Sequence, residues 1–348
     1  MTTEAAVPSD PCPTDDTLLG RGRELAALTR ALAVHRLVAL TGPAGVGKSR
    51  LAAAAAAEAR RLRPCRVRTV DLGALHAPEL FAGTLGYALG IRARDDGSEL
   101  GALAQGLGAE PTLLVLDGCE RLLGRAAAGI EYLIDACPDL VVLAVGRATP
   151  GSRYERVQRL EPLAEGPATA LLCTRARQFG APAFARSGLE HLDALPLCHL
   201  LDRNPLAIEL AAGRLTQLSP RQLMSEVSRP AGLLGLAPVA LPPDRAADCG
   251  DRLPDRTLRA AVEGSHDLCT RAERLLWARL SAVPVGFDLA EAEQACTGRD
   301  LTGYALEQAW FGLIRSSVLV SYGAGAQRYR LPFLLRAYGR ERLRRINR

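Results

Sequence analysis

The stretch "VALTGPAGVGKSR", from Val38 to Arg50, constrains this chain more than any other. An apolar run, "RLVALT", leads straight into Gly42, Pro43, Ala44, Gly45, Val46, Gly47, Lys48 and Ser49, and the Ala-rich "RLAAAAAAEARRLR" follows. Strand, glycine loop and helix in this order fit the phosphate-loop pattern G-x-x-x-x-G-K-[ST]. Loop N–H groups can surround phosphate oxygens, and the positive end of the helix adds to the field. Lys48 is then expected to reach the β- and γ-phosphates and Ser49 to bind Mg²⁺, with Arg50 beside them in the nucleotide-binding set.

Lys48 is also the one lysine in the sequence, which has 43 Lys and Arg residues in all. A compact ammonium on a flexible stem fits inside a phosphate loop, whereas a planar guanidinium is larger and stiffer. Arginine has replaced lysine everywhere except where it is least able to substitute.

From Leu37 to about Leu163, further buried-type runs, "CRVRTVDL", "PTLLVLD" and "DLVVLAV", alternate with Ala/Leu-rich helical segments. This is the pattern of an α/β P-loop NTPase domain with a parallel sheet covered on both faces. "TLLVLD" ends in Asp117, a second expected Mg²⁺ contact, although buried strands often finish in Asp. Gly118 follows, so the acid next along the chain is Glu120, either a base for water or a helix-starting residue. "DLVVLAVGR" ends in Arg147 on the edge where phosphates lie in open α/β sheets, so Arg147 is either a γ-phosphate contact or one surface arginine among many.

At 348 residues the chain is long enough for two or three domains. Residues 1–16, acidic and Pro-rich, read as a disordered leader, and 17–165 as the nucleotide-binding domain. Residues 166–228 read as helical, with Asn204 and Pro205 as a helix start, and 229–254, rich in Pro and Gly, as a linker. Residues 255–348 read as helices, a short hairpin and a last helix, a winged-helix-like domain, with capping boxes at Thr270/Glu273 and Asp288/Glu291.

Net charge is +5, and Arg328, Arg330, Arg336, Arg340, Arg342, Arg344, Arg345 and Arg348 face a single acid, Glu341, near the C-terminus. Such an end suits DNA or an acidic partner, or is a solvated helix face. Nine cysteines without a CxxC pair suggest reduced thiols, and no apolar run reaches membrane-spanning length. The expectation is a cytoplasmic protein with no membrane partner.

In their order, "LLGRGRELAAL", "LTGPAGVGKSRLA", "VDLGAL", "LLVLDGCERLL", "LAVGRATPGSRYERVQRLEPL", "LLDRNPLAIELAAGRL", "RTLRAAVEGSHDL" and "RYRLPFLLRAYGRERL" resemble the STAND/NB-ARC-type ATPase module of LuxR-type and AfsR-type bacterial regulators. The resemblance implies an ATP/ADP switch with Mg²⁺. Gly20 and Arg21 would approach the base, Pro205 would pack on adenine, and Arg147 would be a sensor. Gly22 stands where a Glu is usual, and Arg203 and Asn204 replace Gly and Leu. Leu331, Pro332 and Phe333 replace a Met-His-Asp-like triplet, removing a histidine contact to ADP. Self-association or a partner regulator is implied too. The alternatives are a DNA-binding regulator acting through its basic end, and a small-molecule kinase, for which no second-substrate motif is visible.

Overall fold

The computed structural model describes residues 18–73, 75, 77–91, 98–108, 110–119, 125–182, 190–239, 257–321 and 328–347. The expected leader, Glu120 and most of the expected linker lie outside these residues.

Five parallel strands form the sheet: β1 (Leu37–Thr41), β2 (Arg66–Asp71), β3 (Thr112–Asp117), β4 (Leu140–Gly146) and β5 (Glu155–Arg159). Their order is β2-β3-β4-β1-β5, so the strand leading into the glycine loop has a neighbour on each side. All five β1 residues are buried, as its apolar sequence requires of a strand covered on both faces. Alternation sorts the side chains. Val38, Leu40, Leu113, Val115, Leu143 and Val145 pack under α1 (Gly22–Val34) and α2 (Lys48–Leu62). Leu114, Leu116, Val142 and Ala144 pack instead under α3 (Phe81–Leu89), α4 (Glu99–Leu107) and α5 (Arg125–Ala136).

The sequence "ERVQR" of β5 is half-exposed and polar, so it gave no strand signal; it pairs with β1 as an edge strand.

Helices α6 (Glu165–Phe179), α7 (Glu190–Leu200), α8 (Pro205–Arg214) and α9 (Pro220–Val227) follow. The stretch expected to be linker from 229 begins instead with a helix, α10 (Pro230–Leu234). The Pro/Gly richness masked an apolar cluster: Leu233, Leu234 and Leu236 are buried. They belong to one continuous core shared by α6–α9 and the C-terminal elements, which includes Leu172, Ile208, Trp277, Trp310 and Tyr338.

Those elements are α11 (Leu258–Asp267), α12 (Arg271–Leu280), α13 (Leu289–Cys296), α14 (Gly303–Arg315), β6 (Val320–Ser321), β7 (Tyr329–Arg330) and α15 (Phe333–Ile346). Both expected capping boxes form. Among the described residues no helix is long and apolar enough to cross a membrane.

Candidate nucleotide site

The parallel sheet brings Thr41, Asp71, Asp117, Gly146 and Arg159 to one edge, as the strand registers show. The glycine loop leaves β1 there and ends at Gly47, in the left-handed region, as the N-cap of α2. The half-buried Lys48 turns its Nζ into the loop, donating to the carbonyls of Gly42 at 2.9 Å and Pro43 at 3.0 Å. An ammonium held by loop carbonyls beside the first turn of a helix is a fitting receptor for phosphate oxygens. Ser49 is exposed in that first turn.

Arg21 is 5% exposed and braces the loop from below. It donates to Val46 O at 3.2 Å and Glu161 O at 2.8 Å, and pairs with Glu24 at 2.8 Å. Gly20 lies against Pro167 of α6. Arg50 turns towards α8, forming a two-pronged pair with Glu209 at 2.7 and 3.3 Å. Glu209 is buried and also takes Arg175 at 3.3 Å, so the carboxylate joins α2, α6 and α8.

The start of α8 docks on the loop itself. Asn204 caps α8, accepting from the N–H groups of Leu206 at 3.1 Å and Ala207 at 3.3 Å, and donates Nδ2–H to Ala44 O at 2.8 Å. Leu206 N–H donates to Gly45 O at 3.1 Å. Gly45, with φ +75°, permits this approach: a Cβ there would lie 2.8 Å from both Asn204 Oδ1 and Leu206 Cβ. Pro205 is half-buried at the first helical position between these two contacts.

Asp117 accepts from Gly118 N–H at 2.8 Å, and in strand register it stands beside Asp71, which accepts from Gly73 N–H at 2.7 Å. The two turns touch, since a Cβ on Gly118 would lie 2.5 Å from Gly73 N. The strand register thus sets a second carboxylate, Asp71, beside Asp117 at this sheet edge. The parallel ends "RTVD" and "LVLD" were the available signal.

Arg147 reaches the C-terminal elements, donating to Ser265 Oγ of α11 at 3.0 Å, and its own carbonyl accepts from Ser317 Oγ at 3.4 Å. Arg159 at the end of β5 also donates to Ser317 Oγ, at 3.3 Å. Ser317 sits at φ +58°, a conformation that a non-glycine residue adopts at some cost.

Asp202, just before the Asn204 cap, accepts from Leu334 N–H at 3.1 Å and from Arg330 at 3.3 Å, joining the α7–α8 turn to β7 and α15. Burial pushes its carboxyl above the ordinary range, opposed by the Leu334 N–H and by Arg330. Of the expected site residues, Arg21, Lys48 and the α8 start at Pro205 meet the loop, whereas Arg50 turns to Glu209 and Arg147 to the C-terminal elements. Asn204, Glu209 and Asp202 were not picked out as contacts because their partners lie on other segments.

No family model matches the sequence. The chain is 32% identical over 331 residues to "Uncharacterized protein Rv0894" of Mycobacterium tuberculosis, covering 94% of this chain and 81% of that protein. It is 33% identical over 314 residues to "Putative HTH-type transcriptional regulator Rv0890c" of the same organism, covering 90% of this chain and 34% of the regulator. The chain therefore spans about a third of that regulator's length. Among solved structures, the Walker-type ATPase PABY2304 of Pyrococcus abyssi matches with a TM-score of 0.60 over 93% of this chain and 96% of that one, at 16% identity. That likeness is one of fold: the chain has the α/β fold of P-loop ATPases.

Proposed function

The chain belongs to the family of the mycobacterial protein Rv0894, and from this premise we propose that it is a nucleotide-dependent switch of the STAND type, acting in transcriptional regulation. The observation that carries the reading is the docking of α8 on the phosphate loop. The carbonyls of Ala44 and Gly45 are held by Asn204 and Leu206, so occupancy of the loop and placement of the helical region are mechanically linked.

In this reading the loop N–H groups and Lys48 hold the phosphates of ATP or ADP, and Ser49 and Asp117 hold Mg²⁺. Magnesium, when bound, would neutralise charge on the terminal phosphates. Gly20, Arg21 and Pro205 shape the approach to the base. Arg147 exchanges its Ser265 contact for the γ-phosphate as α11, one of the C-terminal elements taken as winged-helix-like, draws back from it. Asp71 orients water for slow hydrolysis. Regulation as the output is supported by the name of Rv0890c as a whole, about a third of whose length this chain matches. Self-association on activation belongs to the same reading.

The basic C-terminus favours DNA contact less than its sequence suggested. Arg328, Arg330, Arg336, Arg340, Arg342 and Arg345 all donate to groups within the chain, among them Glu291, Asp202, Ser281 O, Tyr338 and Glu341.

The test is isothermal titration of the chain with ATP and with ADP in Mg²⁺, beside Lys48→Ala. Binding that falls by at least about tenfold in the variant supports the site. Equal affinity in a folded variant refutes it.

A further inference from the structure

A cavity of about 300 Å³ lies where the phosphate loop, the α7–α8 turn and the C-terminal elements meet. Pro43 and Ala44 line it from the loop, Asp202 and Asn204 from the turn, and Arg330 and Pro332 from beyond β6. Lys48 identifies which end of the loop this is: its amine rests on the carbonyls of Gly42 and Pro43, and a phosphate-loop lysine serves the β- and γ-phosphates. The cavity therefore adjoins the terminal-phosphate end.

Arg330 is the cation facing this space from the C-terminal side. Its side chain is 26% exposed, and among the described residues it makes one hydrogen bond, 3.3 Å long, to Asp202. A guanidinium carries five N–H donors, so most of its capacity for oxygen ligands is in reserve. Asp202 is well held without it, because the Leu334 N–H at the start of α15 also supports the carboxylate. Asp202 and Arg203 both sit at φ +53°, two successive non-glycine residues in the left-handed region. This turn leads straight into Asn204, which grips Ala44. Loop, turn and Arg330 thus form one connected path.

We infer that Arg330 is a phosphate-binding residue supplied by the C-terminal elements, shifting its N–H fork from Asp202 to the terminal phosphate of a bound nucleoside triphosphate. The inference rests on the nucleotide reading above and adds to it a residue that discriminates triphosphate from diphosphate. No bond is made or broken; one anion replaces another as the partner of the guanidinium. Asp202, in competing for Arg330, opposes triphosphate binding.

The experiment is titration of the full chain with ATP and with ADP in Mg²⁺, using wild type, Arg330→Gln and Asp202→Asn, each checked for folding by circular dichroism. Arg330→Gln is expected to weaken ATP binding by about tenfold or more while leaving ADP affinity within about twofold, the scale of a lost charge-assisted contact. Asp202→Asn keeps an acceptor for Leu334 N–H but removes the competing charge, so ATP binding is expected to tighten. An unchanged ATP/ADP ratio in folded Arg330→Gln overturns the inference. If that variant does not fold, unchanged or weaker ATP binding in folded Asp202→Asn overturns it. A wild-type chain that binds neither nucleotide would instead refute the nucleotide reading on which the inference rests.

Discussion

Asn204 and Ala44 are 160 residues apart in sequence and joined by a 2.8 Å hydrogen bond from the side-chain amide to the loop carbonyl. The same side chain caps α8 with its oxygen. Capping needs only the acceptor, and gripping the loop needs only the donor.

Two substitutions separate these tasks. Asn204→Asp keeps the cap and loses the grip, so it is expected to change nucleotide affinity and protease sensitivity with little loss of helix stability. Asn204→Ala loses both, with about 1 kcal/mol from the cap alone. Urea denaturation alongside nucleotide titration reads the two effects. Identical behaviour of the two variants in both assays would mean that the Ala44 contact has no role of its own.

Glu209 is expected to be far more sensitive than its partner Arg50. The carboxylate is buried between Arg50, whose side chain is 40% exposed, and Arg175, at 6%. Glu209→Ala strands the buried Arg175 guanidinium, at a cost of about 3–5 kcal/mol. Arg50→Ala removes a partner with access to water and costs about 1 kcal/mol or less. Equal losses in chemical denaturation would contradict this asymmetry.

Asp71 and Asp117 share a strand register but are given different tasks. Asp71→Asn is expected to slow ATP hydrolysis by at least about tenfold without weakening Mg²⁺·ATP binding. Asp117→Asn is expected to reduce the Mg²⁺ dependence of binding itself. Phosphate release and magnesium titrations distinguish them, and full turnover in Asp71→Asn would return that carboxylate to a purely structural place in its turn.

His266 gives the fold an acid sensitivity. Its ring lies 5.7 Å from Trp277 and 5.4 Å from Tyr338. Burial, reinforced by Arg342 and Arg274 and opposed by Asp267, lowers its pKa from the ordinary 6.5 to about 4. The unfolded chain therefore takes up this proton more readily than the folded one. The stability contribution is complete above pH 6.5 and is lost as pH falls towards about 4. Melting temperatures are expected to drop between pH 7 and pH 5, and a His266→Phe variant to show a shallower drop; parallel curves for the two proteins would rule out His266 as the source.

The sheet was legible in sequence wherever its strands are buried on both faces, because "LVALT", "TLLVLD" and "LVVLAVG" can hardly be anything else. β5 was not, since an edge strand that keeps polar groups in water loses the apolar run. The loop and Asp117 were visible because local spacing defines them. Asp71 was hidden because its relation to Asp117 exists only across a strand pair, and Asn204 looked like a helix cap because that is the part of its task expressed locally. The linker expectation went astray at α10, where Pro230 starts a helix rather than breaking one.

The placement of β1 in the sheet has one further consequence. Its neighbours β4 and β5 are followed by Arg147 and end in Arg159, and both arginines are tied to Ser317. β1 is thus the middle tine of a fork whose outer tines converge on one serine. Any shift of the C-terminal elements from this sheet edge acts on both contacts through one side chain, so Ser317→Ala would loosen both flanks of β1 at once.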